Sequence, residues 1–481
     1  MTVKRVHPLG ATLLAALCAV LLGMSSLLSP ALATRIEKMI ADFNQELVLL
    51  AGEAWIMTGT GQADPTIGSY MDVVRDFYLQ PVTPWFTGQT TYAGYALNGL
   101  TTPEQFCPIV CQPLPVPQLN FGDSLAQGVA NLEGAIRPQL EAGEEVTVFG
   151  YSQSSVVATL AMHNLLAGDP SGGSLGFDPD NLHFVLIGAP NNPLSGMLTR
   201  LPFPDGFDGN MQHIPFLNIP LGIDPTPTMP FATDVYSTEY DGWAIFPQDP
   251  TNLLAVINAI MGIGAVHNAY FTDNLANAID LGAIGNTNYY MLPEQLPILG
   301  PLYGLGDIGK FAADAVAPLL KTVIDWSYGN PGAPDAGITV NGVDPLGAAG
   351  AWAVTATGQL SEDTGVAGFL LRMDPLQMLA GLQYAGAQSL INIGNYLGEL
   401  VGVGPMPDSH IDVLMSGYNL TLGLDQALLT GWQDLAAQWN LLDVLGPDAI
   451  FNGAPLISAQ PLLDLLGMGF SLISLINLLD A

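Results

Sequence analysis

The chain has 481 residues, room for a large enzyme core and more, with 43 acidic side chains against 10 basic ones and a net charge of −33. That charge excludes nucleic acid and anionic membrane surfaces as partners, since both would be repelled electrostatically. Yet 49% of the residues are hydrophobic, only 11% are charged and 54 are glycine, a composition suited to work beside apolar lipid.

In chain order, residues 1–33 open with Lys4 and Arg5, continue with an apolar run over 13–22 and close on Ala31-Leu32-Ala33. This is the layout of a secretory signal peptide cleaved after Ala33, so export is expected. The apolar stretch to Leu28 is nearly long enough to span a bilayer, which makes an uncleaved anchor the alternative. Cys18 follows Leu17 where a lipoprotein site would want a small residue, and it leaves with the leader. Cys107 and Cys111 in FCPIVCQP then read as a local disulfide of an oxidising compartment. Zinc is disfavoured, because a structural site wants four ligands and no histidine or second cysteine pair lies nearby. No metal or cofactor is expected.

Trp55-Ile56-Met57 reads as the first core strand and Thr58-Gly59-Thr60-Gly61 as a glycine-rich loop after it. A helix is expected over 124–136, capped by Asp123 and ended by Pro138. Val146, Val148 and Phe149 form an apolar, β-branched run that stops at Gly150, as a buried parallel strand does. Val157, Ala161 and Leu165 then recur every four residues, with Val156 and Leu160 beside them, and mark a helix packed back onto that strand.

Between strand and helix, Gly150-Tyr151-Ser152-Gln153-Ser154 fits the small-x-Ser-x-small nucleophile elbow, whose tight turn lifts a serine hydroxyl clear of a sheet. The alternative is an ordinary βα turn with a serine near a helix N-terminus. A nucleophilic Ser152 needs a base, and the base an orienting acid, in the order Ser, Asp, His. His213, His267 and His410 follow at useful distances, whereas His163 lies within the elbow helix and His183 begins the next strand, over 184–187. His267 stands out, because it follows the apolar helix over 252–261. Asp241 lies upstream, where a strand from Asp234 ends in an acid and a glycine; functional groups of open α/β sheets stand at such strand ends.

Proline and glycine punctuate residues 190–230, and Phe203, Phe207, Phe216 and Leu217 make this stretch either an apolar shelf over the site or ordinary packed loop. Strand and helix signals alternate from Trp55 to about Gly282, so the fold class is α/β, a doubly wound, mostly parallel sheet. Pro331-Gly332-Ala333-Pro334 breaks the chain. Helical segments follow over 374–400, 411–445 with breaks, and 461–479. The last is apolar, but Asp464, Ser471, Ser474 and Asn477 favour packing against neighbours or a lipid surface over a span. His410 in PDSHID reads as a solvated turn residue.

Gly59-Thr60-Gly61, GYSQSS at Gly150, VLIGAPNNP at Val185, EYDGWAIFPQDPTNLLAVINAIMG at Glu239, VHNAY at Val266 and TVIDWSYGNP at Thr322 together resemble the PE-PPE serine hydrolase domain, a cutinase-like α/β hydrolase of actinobacteria with mycolic-acid envelopes. The resemblance covers roughly residues 55–330 and rests on the chained order of the motifs. It implies a triad of Ser152, Asp241 and His267, with backbone N–H groups near Thr60 and at Gln153 as the oxyanion hole. Ile245 stands where relatives often carry a second acid, and neither the PE nor the PPE N-terminal module is visible. The expected organisation is a leader over 1–33, an α/β-hydrolase domain over 34–330 and a helical apolar region over 331–481.

The function expected is an exported, secreted or envelope-associated serine esterase or lipase acting on acyl esters, with lipid as substrate and envelope lipid as a surface to associate with. An acyltransferase building acylated trehalose lipids is the runner-up, since a sugar hydroxyl can resolve the same acyl-enzyme. A non-catalytic lipid-binding protein is the third reading. Oligomeric state is not encoded in any motif.

Overall fold

The computed structural model describes residues 52–167, 175–193, 196–200, 213–214, 219–220, 226–247, 252–328 and 375–438. The leader, the four apolar residues of the expected shelf, the break at 331–334, Asp249 and the expected helix over 461–479 lie outside the described residues.

Seven strands form the main sheet: β1 (Glu53–Ile56), β2 (Ala96–Gly99), β3 (Val146–Tyr151), β4 (Leu182–Ile187), β5 (Ala232–Thr238), β6 (Ile279–Ile284) and β7 (Thr287–Leu292). Their spatial order is β2-β1-β3-β4-β5-β7-β6. Every pairing is parallel except the edge hairpin of β6 and β7. All six residues of β3 are buried, because helices cover both faces of the sheet and leave no side for alternating polar residues.

One face is covered by α2 (Phe121–Glu141) and α3 (Gln153–Ala167), which follow α1 (Tyr70–Val74) in the chain. Leu125, Leu132, Val157 and Ala161 meet there in one apolar core. The two helices touch so closely that a Cβ on Gly128 would stand 2.8 Å from Val157 Cγ2. The opposite face carries α1 and an aromatic core of Tyr78, Tyr92, Phe149, Tyr236, Tyr270 and Tyr290. Strand order reverses between β1 and β3, so the crevice at their C-terminal ends is the switch point of the fold, the place where open α/β sheets bind ligands. The glycine-rich loop and Ser152 both stand at that crevice.

Four further helices matter: α4 (Leu253–Ala265), α5 (Gly306–Asp325), α6 (Pro375–Leu400) and its hairpin partner α7 (Asp408–Gln438). Tyr384, Ala387, Ile391, Met415 and Tyr418 form the small core between α6 and α7. Stacking of Phe311 on Tyr396 at 4.1 Å docks the pair on α5. No described helix is long and apolar enough to cross a membrane.

Four local expectations differ from what the chain does. The helix expected over 124–136 starts earlier, because Asn120 and not Asp123 is the cap; its Oδ1 accepts from Asp123 N at 2.9 Å. It also runs through Pro138 to Glu141, since a proline one turn from the end forfeits a single helical bond. His410 lies exposed in the first turn of α7, which is unbroken to Gln438. Strand β5 ends at Thr238, so Asp241 stands on the turn beyond it.

Candidate active site

The elbow is built locally. β3 runs to Tyr151 and α3 begins at Gln153, leaving Ser152 alone between them at φ 55°. A non-glycine residue in the left-handed region is strained, and the surroundings must hold it there. Ser152 N donates to Ile187 O at 3.0 Å, and Ser154 Oγ accepts from Tyr151 N at 2.8 Å. A Cβ on Gly150 would stand 2.8 Å from Ser154 O, which is why a small residue is required two positions before the serine.

The acid and base arrive together on two segments clamped face to face. A Cβ on Gly262 of α4 would stand 1.8 Å from Tyr240 O, and one on Gly242 would stand 2.1 Å from Ala259 O. Backbone therefore meets backbone between α4 and the turn that carries Asp241. Tyr240 is itself left-handed at φ 63° and is tied to α5: its hydroxyl donates to Asp325 Oδ1 at 2.7 Å and accepts from Lys321 Nζ. Lys321 also pairs with Glu239 at 2.6 Å and Asp325 at 3.2 Å.

With both segments fixed, His267 Nε2 lies 2.7 Å from Ser152 Oγ, and His267 Nδ1 lies 2.9 and 2.8 Å from the two oxygens of Asp241. Asp241 is fully buried and also accepts from Trp243 N at 3.1 Å and Tyr270 Oη at 2.6 Å. Tyr151 stacks on the imidazole with ring centroids 5.4 Å apart. Burial first, and then the nearby Asp241, hold the phenols of Tyr151 and Tyr270 above their ordinary value.

Ser152, Asp241 and His267 are thus in one hydrogen-bonded line. Of the other acids near this turn, Asp234 does not join it, since it accepts from Asn288 Nδ2 at 2.8 Å within the sheet; Asp249 lies outside the described residues. Ile245 is buried in the core and its N–H donates to Asp241 O at 2.6 Å, while the imidazole faces Asp241. His213 falls in a two-stranded ribbon, His213–Ile214 against Ile219–Pro220.

Thr60 and Gln153 are joined by a bond from Thr60 Oγ1 to Gln153 Oε1 at 2.8 Å. Gln153 Nε2 donates onward to Gln105 O and Ser124 Oγ at 3.1 and 2.8 Å, so this buried amide fixes the glycine-rich loop against the elbow. Gln153 opens α3, so its N–H has no acceptor one turn back in the helix. Gly59 is required by closeness, since a Cβ there would meet Tyr151 Cδ1 at 2.9 Å and Ser152 Cβ at 3.2 Å. Cys107 and Cys111 are disulfide-bonded with Cα atoms 4.9 Å apart, and the loop they close packs on the same region, with Val110 Cγ1 beside Gly61. Among the described residues no group of three or more His, Cys, Asp or Glu could hold a metal ion.

Sequence reasoning missed Tyr270, the side-chain role of Gln153 and the buried acid Glu104. Glu104 is left-handed at φ 46° and its carbonyl accepts from Gly61 N at 2.7 Å. Its Oε1 accepts from Thr102 Oγ1 at 2.7 Å, while Oε2 is buried without a partner. Burial pushes this carboxyl up from 4.5 to about 8. The folded protein therefore keeps a proton over this window that the unfolded chain releases, so Glu104 makes stability fall as pH rises from 4.5 to about 8. Glu104→Gln keeps the acceptor for Thr102 and removes the ionisation. At pH 8.5 we expect urea unfolding to show the variant more stable by roughly 2–4 kcal/mol, a gain that vanishes near pH 4.5; parallel pH profiles would refute this.

Residues 93–329 match the family model described as the PE-PPE domain. The chain is 33% identical over 401 residues to esterase PE16 of Mycobacterium tuberculosis, an alignment covering 80% of this chain and 70% of that protein. It is 37% identical over 284 residues to PE family protein PE3 of the same organism, covering 57% and 55% of the two chains. Diacyltrehalose acyltransferase Chp2, also of M. tuberculosis, is 29% identical over 257 residues, covering 50% of this chain and 67% of the relative.

Proposed function

The chain belongs to the PE-PPE domain family, and from that membership we propose that it is an exported serine esterase or lipase that cleaves acyl esters through an acyl-enzyme on Ser152. The observation that carries this reading is the unbroken line from Ser152 Oγ through the His267 imidazole to the buried Asp241 carboxylate.

Ser152 Oγ attacks the acyl carbonyl carbon as its proton passes to His267 Nε2. Asp241 holds Nδ1–H, which keeps Nε2 free to accept, and it balances the imidazolium that forms. The carbonyl oxygen becomes an oxyanion facing the N–H groups of Gln153 and Thr60, with the N-terminus of α3 adding its positive end. Collapse breaks the ester C–O bond, and the leaving alcohol takes the proton from His267. Water then attacks the acyl-enzyme with His267 as base, and the acid is released.

Lipid is the substrate class favoured by the surface beside the site. Leu253, Leu254, Ile257 and Ile260 are exposed along α4, the helix that leads into the His267 loop, and α4 contains no charged residue.

A second reading follows from the relatives named diacyltrehalose acyltransferase Chp2 and SL1278 acyltransferase Chp1: a sugar hydroxyl held at the site resolves the acyl-enzyme in place of water. A held hydroxyl can outcompete bulk water, because its effective molarity is very high. The purified protein is incubated with an acyl donor, with and without trehalose or an acylated trehalose, and products are separated by mass spectrometry. Free fatty acid is expected to dominate. Dominant transfer to sugar would replace the esterase reading with the transferase one, and absence of any acyl-enzyme would refute both.

A further inference from the structure

We propose that Tyr270 is a positioning residue for catalysis, its buried phenol acting as a fixed hydrogen-bond donor that sets both the orientation and the basicity of the Asp241–His267 pair. The inference rests on the serine hydrolase reading above.

Tyr270 has no exposed surface, so its hydroxyl cannot exchange its partners for water. The hydroxyl donates to Asp241 Oδ2 at 2.6 Å and accepts from Thr238 N at 2.9 Å. Thr238 ends β5, so the phenol hangs the carboxylate from the rigid end of the sheet although Asp241 itself rides on a turn. The ring stands nearly perpendicular to His267, with centroids 6.3 Å apart at 88°. Gly188 shows how tightly the two rings are packed: at φ 58°, its Cβ would meet Tyr270 Cε2 at 3.0 Å and His267 Cε1 at 3.1 Å. Tyr78 Oη donates to Tyr270 O at 2.6 Å and fixes the backbone from behind.

Three donors thus converge on two carboxylate oxygens: His267 Nδ1–H, Tyr270 O–H and Trp243 N–H. A donor on Oδ2 withdraws charge that would otherwise stabilise the imidazolium. The phenol therefore aims the carboxylate and takes up part of the charge that it presents to the imidazole. Other titratable groups around the pair are Tyr151 from the elbow, stacked on the imidazole, and Tyr328 beyond α5, which packs on Tyr240. The charged group of Glu239, Lys321 and Asp325 surrounds Tyr240. None of these is altered by the test.

The experiment follows the pH dependence of kcat/KM for a short p-nitrophenyl ester, and of single-turnover labelling by a fluorophosphonate, in the full chain. In Tyr270→Phe the acid limb is expected to move to higher pH by about half a unit or more, with kcat down about tenfold and KM unchanged. Tyr78→Phe is the structural control; it is expected to lower thermal stability and leave the limb in place. Should Tyr270→Phe fail to fold, 3-fluorotyrosine incorporated at position 270 keeps the packing and makes the phenol a stronger donor, and the limb should then move to lower pH. An unmoved limb in the variant that folds, or a shift equal to that of Tyr78→Phe, overturns the proposal. Undiminished turnover in Ser152→Ala overturns the hydrolase reading instead, so the two failures are distinguishable.

Discussion

Replacing Ser152 with alanine is expected to lower turnover of short p-nitrophenyl esters by roughly 10⁵- to 10⁶-fold and to abolish labelling by a fluorophosphonate, with the folded state intact. The hydroxyl is the only group at the switch point that stands on a strained elbow with a base 2.7 Å away among the described residues. The bonds that shape the elbow, from Ser152 N to Ile187 O and from Tyr151 N to Ser154 Oγ, do not use the Ser152 side chain. Circular dichroism and melting temperature should therefore match the parent. Turnover within tenfold of the parent in a folded variant would remove Ser152 from the mechanism.

Asp241→Asn is expected to cost about 10⁴ in kcat because of how the carboxylate is surrounded. Donors approach both of its oxygens: His267 Nδ1 and Trp243 N at Oδ1, His267 Nδ1 and Tyr270 Oη at Oδ2. An amide keeps one oxygen and presents N–H at the other position, against a donor and at a residue with no exposed surface. The imidazole relieves that clash by taking the tautomer with its proton on Nε2, which can no longer accept from Ser152. The measurement is kcat in Asp241→Asn beside Asp234→Asn. Asp234 lies within β5 and is bonded to Asn288, so its variant should retain near-parental kcat. The opposite pattern, with Asp234→Asn inactive and Asp241→Asn active, would reassign the acid.

The elbow was legible in the amino-acid order because its determinants lie within a few residues of one another. A continuous apolar run makes a strand buried on both faces, a helical stripe begins at once, and small residues two before and two after Ser152 satisfy contacts that reach no further than Ser154 and Ser155. The same locality made the first core strand, the glycine-rich loop and the apolar helix before His267 readable. The parallel sheet followed from the alternation of these units. Residues 1–33 and those beyond 438 carry equally local signals, but they lie outside the described structure.

Tertiary structure alone decided what stands beside what. The strand leading to the acid ends at Thr238, and Asp241 reaches the imidazole only because Tyr240 turns left-handed and is tied to Asp325, 85 residues later. That Ile245 leaves the imidazole with an acid partner depends on Gly242 and Gly262 bringing two backbones into contact, a closeness that no spacing in the chain encodes. The helix over 121–141 differs from the expected one at both ends, since Asn120 and Pro138 each allow two local outcomes and packing against α3 selects one. Tyr270 and Glu104 look like any tyrosine and any glutamate in sequence. Burial makes one a fixed donor and the other an acid that keeps its proton, because desolvation is a property of the assembled interior and not of the residue.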